Sequence, residues 1–270
     1  MKSFIKTPEE IEILREGGRR LAQVLDVLER SIAPGMTTKD LDDIAEKEIR
    51  RSGDEPAFLG YRPWDASRAY PATLCVSIND EIVHGIPRKD CIVKEGDIVG
   101  LDLGIKHCGL FTDSARTVGA GKISDAAQKL LDVTREALGI GIAAAGKHGV
   151  RVGDIGTAIE EFVRKQPKKY GIVRGLGGHG VGREIHEDPF IPNHRPDRSL
   201  GLGFGMRLKP GMVIAIEPML AAGKPGIALA PDGYTYRTKD RSLAAHFEHT
   251  ILITGDGAGT EILTKSRHPE

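Results

Sequence analysis

Val93-Lys94-Glu95-Gly96-Asp97-Ile98-Val99-Gly100-Leu101-Asp102 is matched, 115 residues further on, by Leu208-Lys209-Pro210-Gly211-Met212-Val213-Ile214-Ala215-Ile216-Glu217. Each copy has a tight turn at glycine, then an apolar strand, then a carboxylate at the same strand position. A second pair, Gly35-Met36-Thr37-Thr38-Lys39-Asp40-Leu41 and Gly149-Val150-Arg151-Val152-Gly153-Asp154-Ile155, repeats at an offset of 114. One such match arises by chance; two at nearly equal offsets point to a duplication. Outward from these segments the order helix, helix, strands occurs twice. Thr7-Pro8-Glu9-Glu10 reads as a helix start, with Thr7 as N-cap and Glu10 closing a capping box, and Pro34-Gly35 as its end. Thr37 and Asp40 cap a second helix, and further helices are predicted over Asp125–Ala145 and Asp154–Lys165. Strand-like runs cover Thr73–Ile78, Ile98–Leu103 and Leu110–Val118. The expected fold is α+β, with two pseudo-twofold-related halves sharing one core. No low-complexity linker parts them, so a single domain over 1–270 is expected.

Composition narrows the function classes. Lys and Arg total 38 and Asp and Glu total 38, a net charge of zero that argues against nucleic-acid binding through bulk electrostatics. Three cysteines, Cys75, Cys91 and Cys108, form no CxxC pair, which disfavours a disulfide scaffold or a thiolate zinc site and favours a reducing compartment. The first residues lack an apolar signal core, and no apolar run approaches the roughly 20 residues of a membrane span. The expectation is a cytoplasmic enzyme or binding domain with no membrane partner.

Two carboxylates stand where the pattern is otherwise apolar: Asp102 between Leu101 and Leu103, and Glu217 at the end of Val213–Ile216. Either alone is best read as a strand-end group reaching solvent or as half of an ion pair. Duplicated at equivalent positions, they face each other across the pseudo-twofold, where like charges repel unless a divalent cation lies between them. Asp113 lies eleven residues after Asp102, so a short hairpin would bring both to one face, although a polar hairpin tip would explain Asp113 equally. Glu248 opens the apolar run Ile251-Leu252-Ile253, and His179 sits among glycines in Gly177-Gly178-His179-Gly180. Four carboxylates and one imidazole suit two divalent cations with a water between them. An oxygen-rich set with one nitrogen favours Mn, Fe, Co or Zn over a thiolate site, without choosing among them.

Gly175–Gly180 also fits G-x-G-x-x-G, but Pro189 and Pro192 follow too soon for the helix a dinucleotide fingerprint needs. His84 and His186 lie in turn-like segments, where a lone histidine is more often a hydrogen-bonding or surface residue. His107, His148, His194 and His268 are left at that reading, and His249 is either a neighbour of the ligands or a packed strand residue.

Together, Ser77-Ile78-Asn79-Asp80-Glu81-Ile82-Val83-His84-Gly85-Ile86-Pro87, Gly178-His179-Gly180-Val181-Gly182, Ile216-Glu217-Pro218-Met219 and Phe247-Glu248-His249-Thr250 resemble the methionine aminopeptidases, specifically the short bacterial-like type I enzymes of the M24 metallopeptidases. The resemblance spans nearly the whole chain. It implies the pita-bread fold, with its halves around a central antiparallel sheet. It implies Asp102, Asp113, His179, Glu217 and Glu248 as dinuclear ligands, with Asp113 and Glu248 bridging. By the same resemblance, Glu217 shuttles a proton to the leaving amine, His186 stabilises the oxyanion and His84 contacts the scissile amide. A methionine pocket of Tyr61, Tyr70 and Cys75, with Phe58, Ile185 and Tyr234 nearby, is implied too. The substrate would be the N-terminal methionine of a peptide or nascent chain with a small second residue, processed in the cytoplasm by a monomer; docking to the ribosome is left open.

Four departures bear on the pocket. The stretch Arg62–Ala69 is longer than in typical relatives; His246 stands where a glutamine is usual, Tyr234 where a tryptophan is usual, and Ala244 where some relatives use a serine to hold a monovalent cation. A prolidase or aminopeptidase P is the first rival, disfavoured because only about a hundred residues precede Asp102. A catalytically dead partner-binding relative is the second, disfavoured by the five ligand positions and both histidines.

Overall fold

The structure is a computed structural model that describes residues 4–63, 68–197, 204–255 and 259–266. The first half contains α1 (Pro8–Ser31), α2 (Thr38–Arg51), β1 (Glu55–Pro56), β2 (Leu74–Ile78), β3 (Glu81–Val83), β4 (Ile98–His107) and β5 (Leu110–Gly119). The second contains α3 (Asp125–Ala145), α4 (Val152–Arg164), β6 (Gly171–Ile172), β7 (Gly177–Gly180), β8 (Glu187–Pro192), β9 (Val213–Ile216) and β10 (Met219–Ala221). It continues with β11 (Ile227–Leu229), β12 (Tyr236–Thr238), β13 (Ala244–His246), β14 (Glu248–Ile253) and β15 (Thr260–Ile262).

The helix starts follow their caps. Thr7 accepts from the Glu10 backbone N–H while Glu10 accepts from that of Thr7, and Thr37 and Asp40 do the same for α2. The predicted end of α1 at Pro34-Gly35 is corrected: the helix stops at Ser31, and Ile32 is already extended. Pro34 disfavours helix at the residue before it, so the chain leaves the helix early. The fourth helix begins two residues before its expected start, because Asp154 accepts from the Arg151 N–H and so sits inside the first turn.

Strands β2, β4, β5, β14, β9 and β7 neighbour one another in that order, with β2–β4–β5 from one half and β14–β9–β7 from the other. The arrangement is a palindrome about the β5–β14 seam, as the repeat predicts. The β4–β5 hairpin turns on Cys108 and Gly109, both at positive φ (46° and 86°), the geometry that suits the right-handed strand twist.

Alternation along the strands separates two faces. Val99, Leu101, Leu103 and Ile105 of β4 pack with Leu21, Leu25 and Leu28 of α1 and with α2. Ile214, Ile216, Ile251 and Ile253 pack with α3 and α4 in a second, equivalent core. The intervening residues, Asp102 on β4 and Glu248 on β14 among them, face the other side of the sheet. Gly104, two residues from Asp102, leaves room for Ala57 and Phe58: a Cβ there would lie 2.9 Å from each.

Candidate metal centre

Each half delivers two carboxylates to the non-helical face. In the β4–β5 register Asp102 is opposite Ala115 and Gly104 opposite Asp113, so the two aspartates lie two residues apart on neighbouring strands and point the same way. Asp113 is thus mid-strand and 3% exposed, not at a polar tip. Glu248 begins β14 opposite Ala115, and Glu217 follows the last residue of β9. His179, on β7, closes the ring: its Nε2 lies 3.9 Å from Asp113, 3.7 Å from Glu217 and 4.0 Å from Glu248. Two overlapping groups, Asp102–Asp113–Glu248 and His179–Glu217–Glu248, each have ligand atoms within 4.8 Å of one another. His186 also falls within that distance of Asp113 and His179.

These side chains fit a divalent cation. Asp113 Oδ1 and Glu248 Oε1 are buried with no hydrogen-bond partner, and a buried acceptor left so is costly unless something positive meets it. Burial, reinforced by Asp113 and Glu217, pushes Asp102 well above the ordinary carboxylate range. Burial and the Glu217 charge raise Asp113 to about 8, and burial with all three neighbouring carboxylates raises Glu248. Glu217 departs the other way. Burial would raise it, but His246, then His179 and His186, hold it below its ordinary value. No helix among the described residues is long and apolar enough to cross a membrane.

A cavity of about 500 Å³ opens onto the cluster. Phe58, Tyr61, Tyr70, Cys75 and Tyr234 line it, with His84, His179, His186 and all four carboxylates. Every site residue named from the sequence is therefore in one cavity; Ile185 packs behind it, against Phe58 and Tyr70. The Tyr70 hydroxyl donates to the Gly85 carbonyl (2.9 Å), which fixes the position of this wall residue. Buried Cys75 sits opposite Asp102, and burial keeps its thiol protonated. The Tyr234 hydroxyl donates to the Arg68 carbonyl, and the Arg68 guanidinium donates to the Asp232 carbonyl at 3.1 Å. The end of the long 62–69 stretch is thereby tied to the pocket wall; Trp64 to Ser67 lie outside the described residues.

The two histidines stand beside the cluster. His186 Nδ1 is 3.0 Å from the Tyr61 hydroxyl, and its ring centroid is 4.4 Å from that of His179. Burial and the neighbouring His179 hold it down to about 3, although its outer edge is exposed. His84, at φ 59°, is lowered to about 4, mainly by burial. Both rings are neutral at pH 7 and carry one N–H to donate.

Sequence reasoning singled out His246 as a departure without placing it, and it missed part of the cavity wall. His246 Nε2 lies 3.4 Å from Glu217 Oε2, on the side away from His179. Leu176, Leu229 and Tyr236 also line the cavity; the two-residue spacing of Tyr234 and Tyr236 was the available signal for the last. His249 points to the helical side, with Nδ1 2.9 Å from Thr264 Oγ1, and is a packed strand residue. His107 is held by Asp54 (2.7 Å), and half-buried His194 lies 3.0 Å from the Arg195 carbonyl. His268 is outside the described residues. No helix follows Gly175–Gly180, which belongs in part to β7, so the glycine pattern is no dinucleotide site.

Comparison with known proteins covers the stretch of chain that carries these residues. The model of metallopeptidase family M24 matches residues 12–255. A methionine aminopeptidase of Aquifex aeolicus is 49% identical over 250 residues, covering 92% of this chain and 94% of the relative. The chain belongs to metallopeptidase family M24, among the methionine aminopeptidases. The crystal structure of the Thermotoga maritima methionine aminopeptidase superposes with a TM-score of 0.88 at 41% identity, covering 97% of this chain and 99% of that one. The prolidase from Pyrococcus furiosus superposes with a TM-score of 0.76 at 24% identity, which shows a shared fold alone. Membership makes the chain a metal-dependent hydrolase with the pita-bread fold, and the cluster is where divalent metal fits.

Proposed function

We propose that this chain removes the N-terminal methionine from peptides and nascent chains with a small second residue. The observation that carries the reading is the convergence of four buried carboxylates and one imidazole at the inner end of an aromatic-walled cavity. Four negative charges suit two divalent cations, held by Asp102, Asp113, His179, Glu217 and Glu248. When bound, such ions polarise the scissile carbonyl and turn water into a nucleophile at neutral pH.

The chain's own groups do the rest. Phe58, Tyr61, Tyr70, Cys75 and Tyr234 take the thioether side chain, for which aromatic faces and a protonated thiol are favourable partners. His186, neutral and beside Tyr61, donates its N–H to the carbonyl oxygen as charge develops there. His84 donates toward the scissile amide. Glu217, the one carboxyl held ionised, takes a proton and passes it to the leaving amine. Both halves supply ligands across one shared sheet, which supports reading 1–270 as one catalytic domain. A monomer acting in the cytoplasm completes the reading.

Release of methionine from Met-Ala by the purified chain, under Mn, Fe, Co or Zn, tests it. Two equivalents of tightly held metal and release of methionine are expected. A folded protein that releases none, or that cleaves Ala-Pro instead, would overturn the reading.

A further inference from the structure

The turn that carries His186 is folded around a partly buried carboxylate. The Arg183 and Glu184 backbone N–H groups both donate to Glu187 Oε1, at 2.5 and 3.0 Å. Glu187 Oε2 accepts from Lys6 Nζ at 2.8 Å. Burial works against the Glu187 carboxylate, yet Lys6 and these backbone donors keep its pKa below the ordinary value. Lys6 comes from the arm that precedes α1 and is only 3% exposed. Its stem runs over Gly182, at φ 141°, so closely that a Cβ there would be 2.3 Å from Lys6 Cε.

The arm is itself anchored. Lys6 N–H donates to the Gly211 carbonyl at 2.8 Å, and Ile5 bridges to Met212 just before β9. The turn returns the grip. Arg183 donates to both carboxylate oxygens of Glu10 at 2.6 Å and to the Ile5 carbonyl at 3.1 Å. Glu10 is also the residue that closes the capping box of α1. Arm and turn are thus joined at Lys6–Glu187, Arg183–Glu10 and Arg183–Ile5, with His186 one residue from the buried pair.

Taking an ammonium and a carboxylate out of water together is costly, and an apolar pair of the same volume would hold the arm down at least as well. What the ion pair adds is direction: it fixes where Glu187 points, and with it the backbone of its neighbour. We infer that Lys6 is a positioning residue for His186, acting through Glu187 to set the imidazole against the cavity. The inference rests on the role of His186 proposed above. It makes the segment before the first helix part of the catalytic geometry, although Lys6 touches no substrate.

A double-mutant cycle in the metal-loaded full-length chain tests this, with Lys6→Met, His186→Ala and the double variant assayed on Met-Ala. Lys6→Met should lower kcat about tenfold with KM within about twofold, since a misplaced donor loses transition-state stabilisation first. Added to His186→Ala, it should cost less than about twofold more. An equal loss in both backgrounds overturns the inference. In histidine-labelled protein, the His186 imidazole nitrogen resonances, assigned by their loss in His186→Ala, should move in Lys6→Met while those of His194 do not. Unmoved His186 resonances overturn it too, and this readout stands even if the chain fails to release methionine. Should Lys6→Met not fold by circular dichroism, Arg183→Gln leaves the buried pair intact and loosens the same turn. It should lower kcat about threefold in the wild-type background and not at all beside His186→Ala; equal losses there overturn the inference as well.

Discussion

β4 and β5 bring Asp102 and Asp113 to the cavity in the company of Phe58, Tyr61, Tyr70 and Cys75; β14 and the end of β9 bring Glu248 and Glu217 beside His179, His186 and His246. The frame is the same in both halves, and what hangs on it differs. The first half, apart from His84, supplies apolar wall alone, whereas the second adds the nitrogens to its own share of wall, Tyr234 and Tyr236 among it. The consequence is electrostatic. Asp102, Asp113 and Glu248 are pushed up by burial and by one another, whereas Glu217 is held down by the surrounding imidazoles. A duplicated scaffold has thus been made unequal, so that one carboxyl stays ionised while the others need a cation before they lose their protons.

The sharpest way to break this comparison is Glu217→Gln. If Glu217 alone carries the proton, methionine release should fall by about 10³-fold with the circular dichroism spectrum unchanged. Turnover near wild type would remove the distinction between the halves.

A second measurement addresses the raised group. Unfolded, Asp113 titrates near 3.8; folded and without metal, near 8. The folded chain therefore keeps a proton that the unfolded chain has released between those values, so stability falls as pH rises across that window. Bound metal needs the deprotonated carboxylates and reverses the dependence. The rise in melting temperature on adding Mn to chelator-treated protein should grow between pH 5.5 and pH 8. A rise that shrinks over that range would mean the cluster is not a cation site.

The smallest effect concerns the wall. Gly104→Ala would press a methyl group on Phe58, raising KM for Met-Ala about fivefold with kcat within about twofold. An unchanged KM would show that Phe58 does not shape the methionine pocket.

Much of this was readable along the chain. Thr7, Glu10, Thr37 and Asp40 announce helix starts through local hydrogen bonds, which depend on neighbours three residues away. The alternation around Asp102 and the spacing to Asp113 defined a face because strand geometry has period two. The contact between His246 and Glu217 was not readable, since it depends on the pairing of β13 with β10, which sets His246 opposite Met219. Nor was the Lys6–Glu187 pair, whose members are 181 residues apart with no local pattern between them. The early end of α1 was missed because the proline restricts the residue before it, and the chain has already left the helix at Ile32.

The seam between β5 and β14 bears on timing. Register there pairs only Glu248 with Ala115 and His249 with Ser114, and side chains do much of the stitching: Ser114 donates to the Glu248 carbonyl across 134 residues of chain, and Thr250 exchanges hydrogen bonds with Asp113. Loop-closure entropy makes such a contact a late one to form. Asp102 and Asp113 could therefore be in their hairpin while Glu248 is still being synthesised. A chain growing at about 5–20 residues per second would spend roughly 7 to 27 seconds between Asp113 and Glu248 with its ligand set incomplete. The protease would be silent until almost its last strand has docked, a delay set by the order of its residues.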